Sequence, residues 1–221
     1  GRFYAHADTL ALSDAGRSGV GPFPHSTASY AIDIGQSVAA DSIQLIASGS
    51  DIGVRTAAPV SAFADLTIAS RETLALGGTL TAGRDIGIYN TGAWGSEMTG
   101  QLTAQRDLQI IAMDLSVAAS GSLRTTAGNI ELGFVGDNAD AHTQLINHGT
   151  VAAAGDLIFG SVLTGLNTGT LSAGGTMDAV LSAVSPKAAA AGLPGAFGAS
   201  FYAQFGAGPG AQLANTGTIA A

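Results

Sequence analysis

Five residues of similar chemistry recur at one place in a repeating pattern: Asp65, Asp85, Asp107, Asn129 and Asp156. Each stands just before a short apolar-x-apolar stretch. A column of carboxylates at regular spacing could bind a cation or perform acid–base work on a polysaccharide. The same position also suits a turn, because Asp and Asn side chains bond to nearby backbone groups. The turn reading is preferred, with Arg84 and Arg106 beside two of the carboxylates to offset their charge. A polysaccharide-processing reading stays open as an alternative and predicts that Asp85→Asn or Asp107→Asn abolishes glycan cleavage.

Other reactive residue types converge less well. Asp137, Asn138, Asp140 and His142 cluster in one polar stretch, but the Gly and distant Glu of a calcium loop are missing. His6, His25, His142 and His148 lack zinc-ligand spacing, and there is no Cys. Asn147-His148-Gly149 has a faint likeness to a catalytic motif of β-helical pectin hydrolases, without their paired Asp; an Asn-x-Gly turn accounts for it. Nucleophile elbows, phosphate-cradling Gly loops and dinucleotide fingerprints are missing. The expectation is a non-enzyme without cofactor or metal.

The segments that must position these residues repeat. One motif reads Ser42-Ile43-Gln44-Leu45, Asp65-Leu66-Thr67-Ile68, Asp85-Ile86-Gly87-Ile88, Asp107-Leu108-Gln109-Ile110, Asn129-Ile130-Glu131-Leu132 and Asp156-Leu157-Ile158-Phe159, with a degenerate copy at Thr176-Met177. A second motif interleaves with it: Gly78-Thr79-Leu80-Thr81-Ala82, Gly100-Gln101-Leu102-Thr103-Ala104, Gly121-Ser122-Leu123, Gly149-Thr150-Val151, Gly169-Thr170-Leu171 and Gly217-Thr218-Ile219. Both recur about every 20–22 residues, a period that belongs to solenoids. Alternation within each motif places one face inward, so that Ile86 and Ile88 point together and Gly87 points away. Short strands of this kind bury their apolar face only when coils stack.

The predicted fold is therefore all-β: a right-handed parallel β-helix of roughly eight coils, about 40 Å long at ~4.8 Å per coil, with at least two strands per coil. Asn-x-Gly turns at 147–149, 167–169 and 215–217 are expected to use the tolerance of Asn and Gly for left-handed backbone.

The organisation follows from where the pattern breaks. Residues 1–30 form an N-terminal arm or capping coil, and 31–184 are coils. Residues 185–212 are a partly helical or loop insertion rich in Ala, Gly and Phe, and 213–221 are a further coil that stops without a cap. The stretches 89–99 and 134–144 are read as loops. The Phe spacing in 185–212 fits one helical face that either covers the solenoid or docks a partner. Trp94, Phe197, Phe201, Tyr202 and Phe205 are the candidate contact residues, since aromatics are enriched in interface hot spots.

Charge narrows the partners. Charged residues are only 11% of the chain and the net charge is −8. No basic stripe exists for nucleic acid or an anionic membrane surface. No apolar run is long enough for a membrane-spanning helix. The chain opens Gly-Arg-Phe-Tyr, without Met or a signal-peptide pattern, as expected of a processed piece of a longer protein.

The two alternating motifs resemble the haemagglutinin repeats of filamentous haemagglutinin-like exoproteins. The segments most similar are Ala127-Gly128-Asn129-Ile130-Glu131-Leu132, Ala154-Gly155-Asp156-Leu157, Asn167-Thr168-Gly169-Thr170-Leu171-Ser172-Ala173 and Leu213-Ala214-Asn215-Thr216-Gly217-Thr218-Ile219. The family's amino-terminal secretion domain is not represented. The resemblance implies a surface adhesin rod segment of a Gram-negative bacterium, secreted through an outer-membrane transporter and contacting a receptor or glycan on a host or neighbouring cell. A self-assembling filament, built by end-to-end contacts that do not close, is the alternative structural role.

Overall fold

The structure is a computed structural model that describes residues 9–13, 30, 32–47, 53–90, 95–134, 144–160, 164–180 and 212–221. Those residues form a parallel β-solenoid, as the repeat predicts, with no helix among them.

Each coil contributes one strand to each of three eight-stranded parallel sheets. The first sheet comprises Thr9–Ser13, Ser42–Ala47, Leu66–Ser70, Ile86–Asn90, Leu108–Ala112, Ile130–Phe134, Leu157–Gly160 and Met177–Val180. The second comprises Ile32–Ile34, Val54–Thr56, Leu74–Leu76, Ser96–Met98, Asp114–Val117, Gln144–Asn147, Thr164–Asn167 and Gln212–Asn215. The third comprises Val38–Ala40, Val60–Ala62, Thr79–Ala82, Gln101–Ala104, Ser122–Thr125, Thr150–Ala153, Thr170–Ala173 and Thr218–Ala220. The first and third sheets are the two repeating motifs of the sequence. The second was not anticipated as a regular element: its strands are three or four residues long and vary in chemistry from coil to coil, without the Gly or Asp marker at a fixed offset that the other two carry. One of them, Ser96–Met98, together with Tyr89 and Asn90 of the first sheet, lies within the stretch expected to be a loop at 89–99.

Like stacks on like. In the first sheet Ile43, Leu66, Ile86, Leu108, Ile130 and Leu157 align in register, and so do Leu45, Ile68, Ile88, Ile110, Leu132 and Phe159. In the third sheet Val60, Leu80, Leu102, Leu123, Val151 and Leu171 form a matching column. These side chains are buried, and each contributes on the order of 1.5–3 kcal/mol by leaving water. Register is fixed because a one-residue slip would turn every aliphatic outward.

The Asn-x-Gly turns work differently from the expectation. Gly149, Gly169 and Gly217 do not adopt the left-handed backbone region. They are needed because coils touch there. A Cβ on Gly149 would stand 2.3 Å from the carbonyl oxygens of Ala118 and Gly121, and one on Gly169 would stand 2.1 Å from that of Gly149. Glycine is thus imposed by coil-to-coil approach rather than by φ.

Candidate functional site: a capped acid ladder and a loop-bearing edge

The recurring carboxylates lie at the corner between the third and first sheets, immediately before the first-sheet strands. Each takes the backbone N–H of its counterpart one coil further on. Asp65 Oδ1 accepts from Asp85 N at 3.4 Å, Asp85 Oδ1 from Asp107 N at 3.2 Å, and Asp107 Oδ1 from Asn129 N at 2.9 Å. Asn129 Oδ1 accepts from Asp156 N at 2.8 Å, and Asp156 Oδ1 from Thr176 N at 2.8 Å and Thr176 Oγ1 at 3.0 Å. The ladder satisfies N–H groups that the sheets leave over at the corner, where a buried orphan would be costly. Asn serves as well as Asp because only a side-chain oxygen is required.

Two arginines neutralise part of the ladder, but across coils rather than beside their sequence neighbours. Arg84 forks onto Asp65 and Arg106 onto Asp85, with Nε–Oδ1 distances of 3.1 and 3.0 Å. The planar guanidinium matches a carboxylate bidentately. Asp85 is buried while doing this. The Thr176 backbone N–H and hydroxyl hold the Asp156 carboxyl below its usual range. Asp65 and Asp85 thus have both carboxylate oxygens engaged, while Asp107 and Asp156 accept through Oδ1. Among the described residues, no group of three or more His, Asp or Glu side chains could hold a metal ion.

Asn147-His148-Gly149 also turns out to be architectural. Asn147 is fully buried; its Nδ2 donates to Asn167 Oδ1 at 2.7 Å, and Gly149 N donates back to Asn147 Oδ1 at 3.2 Å. Asn167 Nδ2 in turn donates to Asn215 Oδ1 at 2.7 Å. This interior carboxamide ladder was not foreseen as a unit, although the triple recurrence of Asn-x-Gly was its visible trace. His148 is exposed, with Nδ1 2.6 Å from Thr168 Oγ1.

On the outer face of the first sheet, Tyr89 Oη donates to Gln109 Oε1 at 3.0 Å, and Gln109 Nε2 donates to Glu131 Oε2 at 3.1 Å. Gln109 is the register partner of Gly87 and Ile111 that of Tyr89, so the Tyr89 hydroxyl bonds diagonally, two positions back along the neighbouring strand. Burial pushes the Tyr89 hydroxyl up to about 12 and raises the Glu131 carboxyl.

The loops are placed by topology. Between the second and third sheets, and between the third and first, consecutive strands are joined by one to four residues throughout. At the corner from the first sheet to the second, the connection ranges from Met113 alone to the whole of 181–211. Every connection of five or more residues falls at that corner: 14–31, 48–53, 91–95, 135–143 and 181–211. The segments containing Trp94, the Asp137–His142 cluster and Phe197, Phe201, Tyr202 and Phe205 follow the strands Ile86–Asn90, Ile130–Phe134 and Met177–Val180. Those strands are two coils apart from one another in the first sheet, about 10 Å at each step. The five aromatics and the polar cluster themselves lie outside the described residues; the fold brings the stems of their segments onto one edge.

Comparison of the chain with protein-family models, with curated proteins and with solved structures gives no match.

Proposed function

We propose that this chain is a non-catalytic segment of an extracellular surface rod, an adhesin whose solenoid presents recognition loops to a receptor or glycan on a neighbouring cell. The observation that carries the reading is the concentration of all long connections at one corner of the solenoid. Length variation confined to one edge is what a scaffold with a contact surface needs: two corners keep the stack in register while the third varies. The acid ladder supports a non-enzymatic role, since Asp65, Asp85, Asp107 and Asp156 each accept a backbone N–H from the next coil, and arginines fork onto Asp65 and Asp85. The finer assignment, to filamentous haemagglutinin-like exoproteins secreted through an outer-membrane transporter, rests on the repeat motifs quoted above and on their agreement with a parallel solenoid.

The test is binding of the purified chain to a panel of glycans and intact cells. Saturable binding that is reduced at least tenfold by Trp94→Ala or by replacing 135–143 with a short turn is expected. Cleavage of a uronate or glucan substrate, abolished by Asp85→Asn, would instead establish the enzymatic alternative.

A further inference from the structure

The outward faces of the three sheets differ in exposure. On the third sheet Thr79, Gln101 and Arg124 point outward and are exposed; on the second, Asp33, Arg55 and Glu97 do so. On the first sheet no outward residue from Gln44 to Gly160 in the described strands is exposed. Thr67 is 5% and Tyr89 4% exposed, although alternation points both away from the core. The outward column around Tyr89 is apolar: Ile46, Ala69, Tyr89 and Ile111 stand in register. Beside Ala69 and Gly87 a Tyr ring on an open sheet would stand clear, because neither neighbour is long enough to reach over it. Two coils on from Tyr89, burial raises the Glu131 carboxyl on the same face.

Every described strand belongs to one of the three sheets, and the second and third sheets close the solenoid behind the inward face of the first. Among the described residues, no strand lies over its outward face. The burial arises within a single chain, which points to a cover supplied by the chain itself.

We propose that the outward face of the first sheet around Thr67, Tyr89 and Ile111 is a docking surface for residues 181–211 of the same chain. Length and origin fit. The segment leaves the first sheet directly after Met177–Val180, four strands along that sheet from Ile86–Asn90, or about 19 Å at ~4.8 Å per strand. A segment of this length spans on the order of 100 Å when extended, enough to reach Tyr89 and return to Gln212–Asn215. Composition fits as well. Lys187 is its one charged residue, and it carries Leu193, Phe197, Phe201, Tyr202 and Phe205, apolar area to set against an apolar face. The other connections at that corner match less well: 14–31 carries Asp14 and Arg17, 135–143 carries Asp137 and Asp140, and 91–95 is too short to cross several strands. In the adhesin reading, contact with a partner then falls to 91–95 and 135–143; the cover itself does not depend on that reading.

The chain has no Cys, so single thiols report on each face. The test compares the maleimide labelling rates of Thr67→Cys on the first sheet and Thr79→Cys on the third, in the full chain and in one with 181–211 replaced by a short turn. In the full chain Thr67→Cys should label at least about tenfold more slowly than Thr79→Cys, because it waits for local opening; in the shortened chain the two rates should agree within about threefold. A second variant keeps the full length: Phe197→Asp with Phe201→Asp and Phe205→Asp should speed labelling of Thr67→Cys and leave Thr79→Cys unchanged. Equal rates at both thiols in the full chain would overturn the covered face. Slow labelling of Thr67→Cys that survives both the replacement and the Asp substitutions would overturn 181–211 as the occupant. Protection that disappears on dilution would assign the cover to a second copy and overturn the proposal likewise.

Discussion

At the scale of single residues, the carboxylates and Asn129 of the acid ladder serve the backbone of the next coil. Asp85 accepts the Asp107 N–H and the Arg106 guanidinium while buried. Asp85→Ala is expected to cost about 2–3 kcal/mol in urea denaturation and Asp85→Asn about 1 kcal/mol, because the carboxamide oxygen still accepts. Glycine columns give a sharper contrast. Gly149→Ala drives a Cβ against two carbonyls and should cost about 3 kcal/mol, whereas Gly133, whose nearest added contact would be Ile111 Cγ1 at 3.5 Å, should tolerate Ala within about 0.5 kcal/mol. Two carboxyls predict opposite pH behaviour. The Asp156 pKa is depressed in the fold, so its contribution is present above its unfolded pKa and is lost as pH falls through the folded value. The Glu131 pKa is raised by burial, so its ionisation opposes folding above the folded value, and this penalty disappears below the unfolded one. Glu131→Gln should therefore raise the thermal midpoint at pH 7, and the gain should vanish near pH 4.

At the scale of elements, the unit is a coil of three strands, and its weakest sequence signal belongs to the second sheet. Asn167→Leu removes both the acceptor of Asn147 and the donor of Asn215. It should destabilise by about 2–4 kcal/mol, with hydrogen exchange rising first in Gln144–Asn147 and Gln212–Asn215. Two of the three strands were legible because their apolar-x-apolar alternation recurs with a polar or Gly marker at a fixed offset. The third was not, because strands such as Val54–Thr56 and Ser96–Met98 offer one alternation each and vary in chemistry from coil to coil. The acid ladder's position was legible, but not its partners: Arg84 is next to Asp85 in sequence yet bonds Asp65, since cross-coil neighbours lie about 20 residues apart. The Asn-x-Gly triplets were visible as turns, while the inward direction of their carboxamides depends on register that no local pattern carries.

At the scale of the whole molecule, each coil is supported by its two neighbours, as in other solenoids. Material leaving at one corner can vary without disturbing the stack, provided the flanking strands stay paired. Replacing residues 135–143 by a short turn should thus move the thermal midpoint by no more than a few degrees, measured by circular dichroism. The same logic separates support from recognition: two corners whose connections stay at one to four residues hold register, and the third carries every longer connection.

The most direct measurement of this account compares cell and glycan binding by the intact chain with that of a chain in which 91–94, 135–143 and 181–211 are all replaced by short turns. The account predicts that the trimmed chain keeps its β-sheet circular dichroism and cooperative melting but loses binding. Undiminished binding by a trimmed and folded chain would contradict it and move recognition onto the faces of the sheets.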